Sequence, residues 1–204
     1  WRSVYASNFA FGQECFMDEL AHAAGQDPIE ARLALLKDER FRKVLEVIAE
    51  KSNWKEKLPA GQGRGVAVFK SFGSISACCV TVSKQSGGEL KIEKVVSVID
   101  CGWHVNPDNV KAQTEGNIVM GLTAAIKPGI TYANGMAQQS NFHDYPIMRI
   151  NEAPEMEIHI VNSGEVPGGV GEPGLPPVAP ALANAIFAAT GKRLRKLPID
   201  LNEV

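Results

Sequence analysis

No two of the four cysteines, Cys15, Cys78, Cys79 and Cys101, stand in a C-x-x-C pair. That argues against a zinc or iron–sulfur site built by this chain alone, and adjacent Cys78 and Cys79 would point to opposite faces of a strand. Buried free thiols are expected, in a reducing compartment or in an assembly that hides them. The four histidines are scattered without ligand spacing, so His104 and His143 read as ordinary polar residues. No apolar run reaches about 18 residues, so no membrane span is expected. Charge of one sign is lacking too: 21 Lys and Arg face 23 Asp and Glu. That balance gives no electrostatic reason to expect nucleic acid or an anionic membrane as partner. The basic stretch from Lys192 to Lys196 is the exception, and its place after a helix suits the negative end of the helix dipole. Repeats and low-complexity tracts are absent. The chain opens on Trp1 rather than Met and shows no signal peptide, so a piece of a longer polypeptide is expected and no cellular address follows.

What remains is ordinary globular material, 45% hydrophobic and 22% charged, long enough to build a core without staples. Residues 1–12 read as irregular. Phe16, Leu20 and Ala23 recur at helical spacing from Gln13 to Ala24. Asp27-Pro28-Ile29-Glu30 supplies a cap, a proline at the first helical position and an acid at N3, opening a helix to about Leu36. A third helix is predicted from Arg40 to about Asn53, with Phe41, Val44, Leu45 and Ile48 on one face.

The period then changes. Gly61-Gln62-Gly63-Arg64-Gly65 leads into strand-like Val66–Phe69. It lacks the spacing of a dinucleotide fingerprint and reads as backbone lying close to something. Ser76–Ser83 and Leu90–Asp100 flank a Gly-rich hairpin turn. Asn106-Pro107 starts a helix to about Ile126, interrupted by Gly116 and Gly121, where a backbone or ligand must approach closely. Asn134-Gly135 centres a second hairpin, and Met156, Ile158 and Ile160 alternate with Glu157 and His159 as a half-exposed strand. Trp1, Trp54 and Trp103 show no cofactor spacing and default to core or interface packing. The fold class is α+β: short N-terminal helices, then mixed strands and two longer helices. The expected division is a helical segment, 1–56, packed on an α+β unit, 57–204.

One stretch stands apart. From Pro167 to Pro180, nine of fourteen residues are Gly or Pro, which specifies an irregular loop of defined shape, and Glu172 is its one carboxylate. An Ala-rich helix follows from Ala181 to Thr190, with Gly191 as its stop. Composition alone favours a solvated loop acid. A lone acid on a stiff loop feeding a buried helix is also how a catalytic base is presented.

Several segments in order then resemble a known family. Gly168-Gly169-Val170-Gly171-Glu172-Pro173-Gly174, with the Ala-rich helix and the Ala189-Thr190-Gly191-Lys192-Arg193 stretch at its end, resembles the C-terminal region of molybdenum hydroxylase large subunits, the xanthine dehydrogenase and aldehyde oxidoreductase family. Trp1-Arg2-Ser3-Val4, Glu14-Cys15-Phe16-Met17-Asp18-Glu19-Leu20-Ala21, Asp100-Cys101-Gly102, Ala112-Gln113-Thr114-Glu115-Gly116 and Ser140-Asn141-Phe142-His143-Asp144-Tyr145 point to its isoquinoline 1-oxidoreductase β-subunit branch. The resemblance implies part of a molybdenum cofactor-binding domain, with Glu172 as base in a water-derived hydroxylation of an aldehyde or N-heterocycle. It implies a molybdopterin-type cofactor, the cytosine dinucleotide form among the options, contacted by Gln113, Gly116, Gly171 and Arg2. It places iron–sulfur clusters on a partner subunit and assigns no metal-ligating side chain here. The implied partners are the rest of the large subunit, an iron–sulfur small subunit and a small-molecule substrate. The family's upstream Gly-Gly-x-Phe-Gly region has no counterpart here. The chain is therefore expected to be the C-terminal portion of a larger subunit, inactive alone. A scaffold that kept the fold without the chemistry is the other reading.

Overall fold

The computed structural model describes residues 1–202 and 204. Three helices open the chain: α1 (Tyr5–Ala23), α2 (Pro28–Leu35) and α3 (Glu39–Lys51). The Asp27 carboxylate caps α2 by accepting from the N–H groups of Ile29 and Glu30, as its sequence predicts. Helix α1 starts well before the expected Gln13. Its periodicity misled because the buried face carries Ala6, Ala10, Glu14, Cys15, Asp18 and Ala21, small residues and two acids. Phe16 and Leu20, the residues that suggested a core face, are 58% and 46% exposed, and Tyr5 and Phe9 share their side of the helix.

Strands β1 (Gln62–Ser71), β2 (Ser74–Lys84) and β3 (Leu90–Asp100) form an antiparallel meander. Helix α4 (Pro107–Ile126) follows, capped by the Asn106 side chain as expected. The Asn134-Gly135 hairpin is present but short, with two-residue strands β4 (Tyr132–Ala133) and β5 (Met136–Ala137). Strand β6 (Glu155–Ile160) returns to pair parallel with β3, giving the sheet order β1-β2-β3-β6. Helix α5 (Val178–Thr190) closes the fold and stops on left-handed Gly191. The architecture is α+β.

Each face of the sheet is covered. One carries Cys78, Val80 and Val82 against Ile118 and Leu122 of α4 and Leu182 and Ile186 of α5. The other sets Val66, Val68, Cys79, Val96 and Val98 against Ile29 of α2 and Val44, Leu45 and Ile48 of α3. Cys78 and Cys79 therefore do face opposite ways. All four cysteines are buried free thiols. Burial, reinforced by nearby acids, pushes Cys15 up to about 12, and burial pushes Cys79 up to about 11. Both stay neutral at physiological pH.

What lies close to the glycine-rich entry of β1 is helix α5. A Cβ on Gly65 would stand 2.1 Å from the Ala185 nitrogen and 2.3 Å from the Ala181 carbonyl oxygen. Those are backbone atoms of a packed helix and cannot swing aside. Gly65→Ala is therefore expected to cost about 2–3 kcal/mol through forced separation of α5 from the sheet. Gly12→Ala is the control: it lies inside α1 with nothing within 4 Å of its would-be Cβ. It should stabilise by about 0.5–1 kcal/mol. Denaturation midpoints of the two variants check the pair.

The basic stretch after α5 is tied to α1. Arg193 stacks over the Phe187 ring at 3.3 Å and reaches Asp18, and Arg195 pairs with Glu19. Trp54 is half-buried, its Nε1–H donating to Asp27, whereas Trp1 and Trp103 are 56% and 58% exposed and lie outside the core. His104 hydrogen-bonds the Gly102 carbonyl, and exposed His143 sits beside Asp144.

Candidate active site

The loop between β6 and α5 is held along its length by the ends of the sheet. Val161 N–H donates to Ile99 O at 2.8 Å, Gly168 N–H to Cys101 O at 2.8 Å, and Gly169 N–H to Phe72 O at 2.7 Å. The Ser74 hydroxyl donates to the Gly169 carbonyl at 2.6 Å. Trp103 N–H bonds the Glu165 carbonyl at 2.8 Å, and the chain passes so near that a Cβ on Gly102 would stand 2.3 Å from Val166 O. Gly102 also has φ +70°, so a side chain there is barred on two counts.

Asp100 anchors this junction. It is fully buried and accepts from Arg40 Nε at 2.8 Å, Arg40 Nη2 at 3.0 Å, Gly102 N–H at 2.9 Å and the Ser163 hydroxyl at 2.7 Å. Burial pushes its carboxyl up. The Arg40 guanidinium, the Gly102 N–H and the Ser163 hydroxyl outweigh that and hold it below its ordinary value. A carboxyl depressed in the folded state stabilises above its unfolded value, and that stabilisation is lost as pH falls through the folded one. The thermal midpoint should accordingly drop below about pH 4, while Asp100→Asn should be lower at neutral pH and show a flatter acid slope. A midpoint-against-pH series checks both.

Fixed in this way, the loop delivers Glu172, half-buried, to the start of the chain. Ser3 N–H donates to Glu172 Oε1 at 2.9 Å, and the Ser3 hydroxyl donates to the Glu172 carbonyl at 2.6 Å. Among the described residues nothing hydrogen-bonds Glu172 Oε2. The neighbouring wall is one face of α4. Gln113, Gly116 and Asn117 lie three and four residues apart there and project together. Arg2 Nη1 lies 3.5 Å from where a Cβ on Gly116 would stand, and Gln113 Nε2 lies 3.5 Å from where one on Gly171 would stand. Arg2, Gln113, Gly116, Gly171 and Glu172, separated by up to 170 positions, thus occupy one locale.

Two members were not singled out from the sequence. Asn117 is fully buried; its Oδ1 accepts from Arg2 Nη1 at 3.4 Å, and its Nδ2 donates to Val170 O at 3.4 Å. It ties the N-terminal turn, α4 and the Glu172 loop together. Its signal was available, a polar residue four positions after Gln113 between Gly116 and Ile118. Ser3 had no signal beyond its place next to Arg2.

The polar set fits an organic cofactor with hydrogen-bonding edges. An amide that both donates and accepts, Gln113, stands against Gly171, and a guanidinium, Arg2, stands against Gly116. Among the described residues no three His, Cys, Asp or Glu side chains gather as metal ligands.

An α+β domain with this loop and cradle defines a class, and comparison with known proteins identifies it. Residues 7–154 match the family of the molybdopterin cofactor-binding domain. The chain belongs to the molybdenum hydroxylase family. It is 34% identical over 204 residues to isoquinoline 1-oxidoreductase subunit beta of Brevundimonas diminuta, covering 97% of this chain and 26% of that protein. It is 36% identical over 219 residues to a membrane-bound aldehyde dehydrogenase of Gluconacetobacter polyoxogenes, whose name carries pyrroloquinoline-quinone, covering 97% of this chain and 28% of that protein. The fold superposes on the aldehyde oxidoreductase of Desulfovibrio gigas with a TM-score of 0.81 and 14% identity, over 97% of this chain and 40% of that one. The chain therefore spans about a quarter of the length of these curated relatives. Among the described residues no helix is long and apolar enough to cross a membrane.

Proposed function

We propose that this chain supplies the base-bearing wall of a molybdenum hydroxylase active site that oxidises an aldehyde or N-heterocycle with oxygen derived from water. The observation that carries the reading is Glu172: one carboxylate oxygen held by a backbone N–H, the other without a hydrogen bond among the described residues, on a loop fixed to both the sheet and α4. Bound against Arg2, Gln113, Gly116 and Gly171, a molybdenum cofactor would supply the two-electron acceptor chemistry. Glu172 Oε2 takes a proton from the attacking water-derived oxygen. One C–H bond of the substrate breaks and one C–O bond forms, and the hydrogen of that C–H bond with its electron pair would leave to the cofactor. Gln113 and Arg2 hold the cofactor's polar edges and orient it. Iron–sulfur clusters on a partner subunit are assigned the onward electron transfer. The remaining walls of the pocket are assigned to further polypeptide, a division supported by the length of the relatives and by the exposed Tyr5, Phe9, Phe16 and Leu20 face of α1. On this reading the chain alone is inactive.

The name of the Gluconacetobacter relative favours a second reading, in which the same cradle holds an o-quinone cofactor. Elemental analysis of the native polypeptide carrying this sequence, with quinone extraction in parallel, separates the two. Molybdenum near one equivalent is expected. Quinone without molybdenum would transfer the cradle to the other cofactor, and neither, from cells making active molybdenum enzymes, would leave a scaffold.

A further inference from the structure

Ser3 does more than border the site. Residues Trp1 to Val4 form a turn closed by Val4 N–H to Trp1 O at 3.2 Å, with φ +73° at its third residue, Ser3. That is the type II pattern, and its third position strongly favours glycine. Val4 follows at φ +49°, where a β-branched residue is a genuine outlier. Two consecutive non-glycine residues thus have positive φ, and the first is fully buried against Glu172. Such outliers persist where surrounding structure over-determines them, and they concentrate at functional sites.

Glycine would satisfy this turn better than serine. What serine adds is the hydroxyl, and that hydroxyl donates to the Glu172 carbonyl at 2.6 Å. The same residue's N–H donates to Glu172 Oε1 at 2.9 Å. Glu172 is gripped at both ends, backbone and carboxylate, by one residue 169 positions away. Two anchors on one residue, at its backbone carbonyl and its carboxylate, restrict the side-chain torsions between them, so Oε2 keeps a fixed direction. A carboxylate bound through a single oxygen retains the other as a proton acceptor. Asn117 completes the support by holding the carbonyl of Val170, two residues earlier, and by engaging Arg2, Ser3's neighbour.

We infer that Ser3 is a positioning residue for Glu172, accepting an unfavourable backbone conformation to fix the aim of the base. The inference rests on the reading of Glu172 as base, and its test separates the two. The test uses the complete cofactor-loaded enzyme that carries this sequence. Ser3→Gly keeps the N–H and relieves the positive φ while deleting the hydroxyl. Its kcat should fall on the order of tenfold, with KM changed by less than about twofold. Cofactor content and thermal midpoint should not fall, because the lost hydrogen bond is offset by the relaxed turn. A purely structural serine predicts the reverse, a lower midpoint with cofactor lost in parallel. In a Glu172→Gln background, followed by single-turnover cofactor reduction, Ser3→Gly should change nothing further, because the two residues act as one unit.

The proposal is overturned if Ser3→Gly turns over like the wild type, if its losses multiply with those of Glu172→Gln, or if kcat falls only in proportion to cofactor content. Should Ser3→Gly fail to assemble, Ser3→Ala, which keeps the Cβ, is judged by the same outcomes, and failure of both variants to assemble counts as the structural role. Wild-type turnover in Glu172→Gln itself would remove the base reading, whatever Ser3 does.

Discussion

Replacing Glu172 with Gln in the complete enzyme is expected to lower kcat by on the order of 10²–10⁴-fold, the range for removal of a positioned general base. The substitution is chosen for what it keeps. Glutamine has the same length, and its amide oxygen can still accept from Ser3 N–H, so the loop's links to the N-terminal turn and the sheet are undisturbed. Cofactor content and thermal midpoint should therefore match the wild type. What is lost is the ability of the second terminal atom to take up a proton. Glu172→Asp tests the geometry instead: the carboxylate survives but is drawn back by one methylene, away from Ser3 N–H. Its kcat should fall by up to about a hundredfold through misplacement alone. Near-wild-type turnover in Glu172→Gln would end the catalytic assignment and return the acid to an ordinary loop position. A fall in molybdenum content matching the fall in kcat would make Glu172 a residue of assembly rather than chemistry.

The parts of the fold that could be read from the sequence are those fixed by local chemistry. Asp27-Pro28 and Asn106-Pro107 start helices where they should, because a side-chain acceptor and a preset φ act within a few residues. Gly191 ends α5 for the same local reason. Helix α1 defeated the periodicity because hydrophobicity sits on its exposed side, while its buried side packs alanines and paired acids. A pattern that equates apolar with inside reads such a helix backwards. The site divides in the same way. The shaped loop around Glu172 was visible in its glycines and prolines, while the base role proposed for Glu172 came from the resemblance. The anchors of this loop are long-range: Asn117 gave only its polar character on the α4 face, Ser3 gave no local signal, and their contacts span 53 and 169 positions. Arg2 and Gln113 came from resemblance, and only the folded chain sets them beside Gly116 and Gly171.

The acids on the buried side of α1 lead to the largest expected loss of stability. Glu14 and Arg32 are 2% and 3% exposed and form an ion pair of 2.9 Å between α1 and α2. Glu14 Oε2 also accepts from Val68 N–H of β1 at 2.9 Å. Its backbone carbonyl accepts from Arg32 Nη2 at 3.0 Å and from Asn184 Nδ2 of α5 at 3.3 Å. Asn184 donates as well to Val66 O, so four elements meet at one buried polar node. Removing the carboxylate by Glu14→Ala leaves a buried guanidinium and a buried backbone N–H without their partner. The expected cost is about 3–5 kcal/mol, well beyond what the lost methylenes account for. Deleting both charges with Glu14→Ala and Arg32→Met should cost less than Glu14→Ala alone, because the unpaired cation then disappears with its partner. Native-state exchange of the Val68 amide, compared with amides of α4, reads the effect at its source. Loss of protection confined to β1, α1, α2 and α5 is the expected result. A Glu14→Ala variant as stable as the wild type would mean that water or relaxation satisfies Arg32, and that the node does not hold α1 in place. Because α1 begins directly after the Trp1–Val4 turn, slackening it loosens the turn that grips Glu172, so Glu14→Ala should also lower kcat while leaving the proposed base in place.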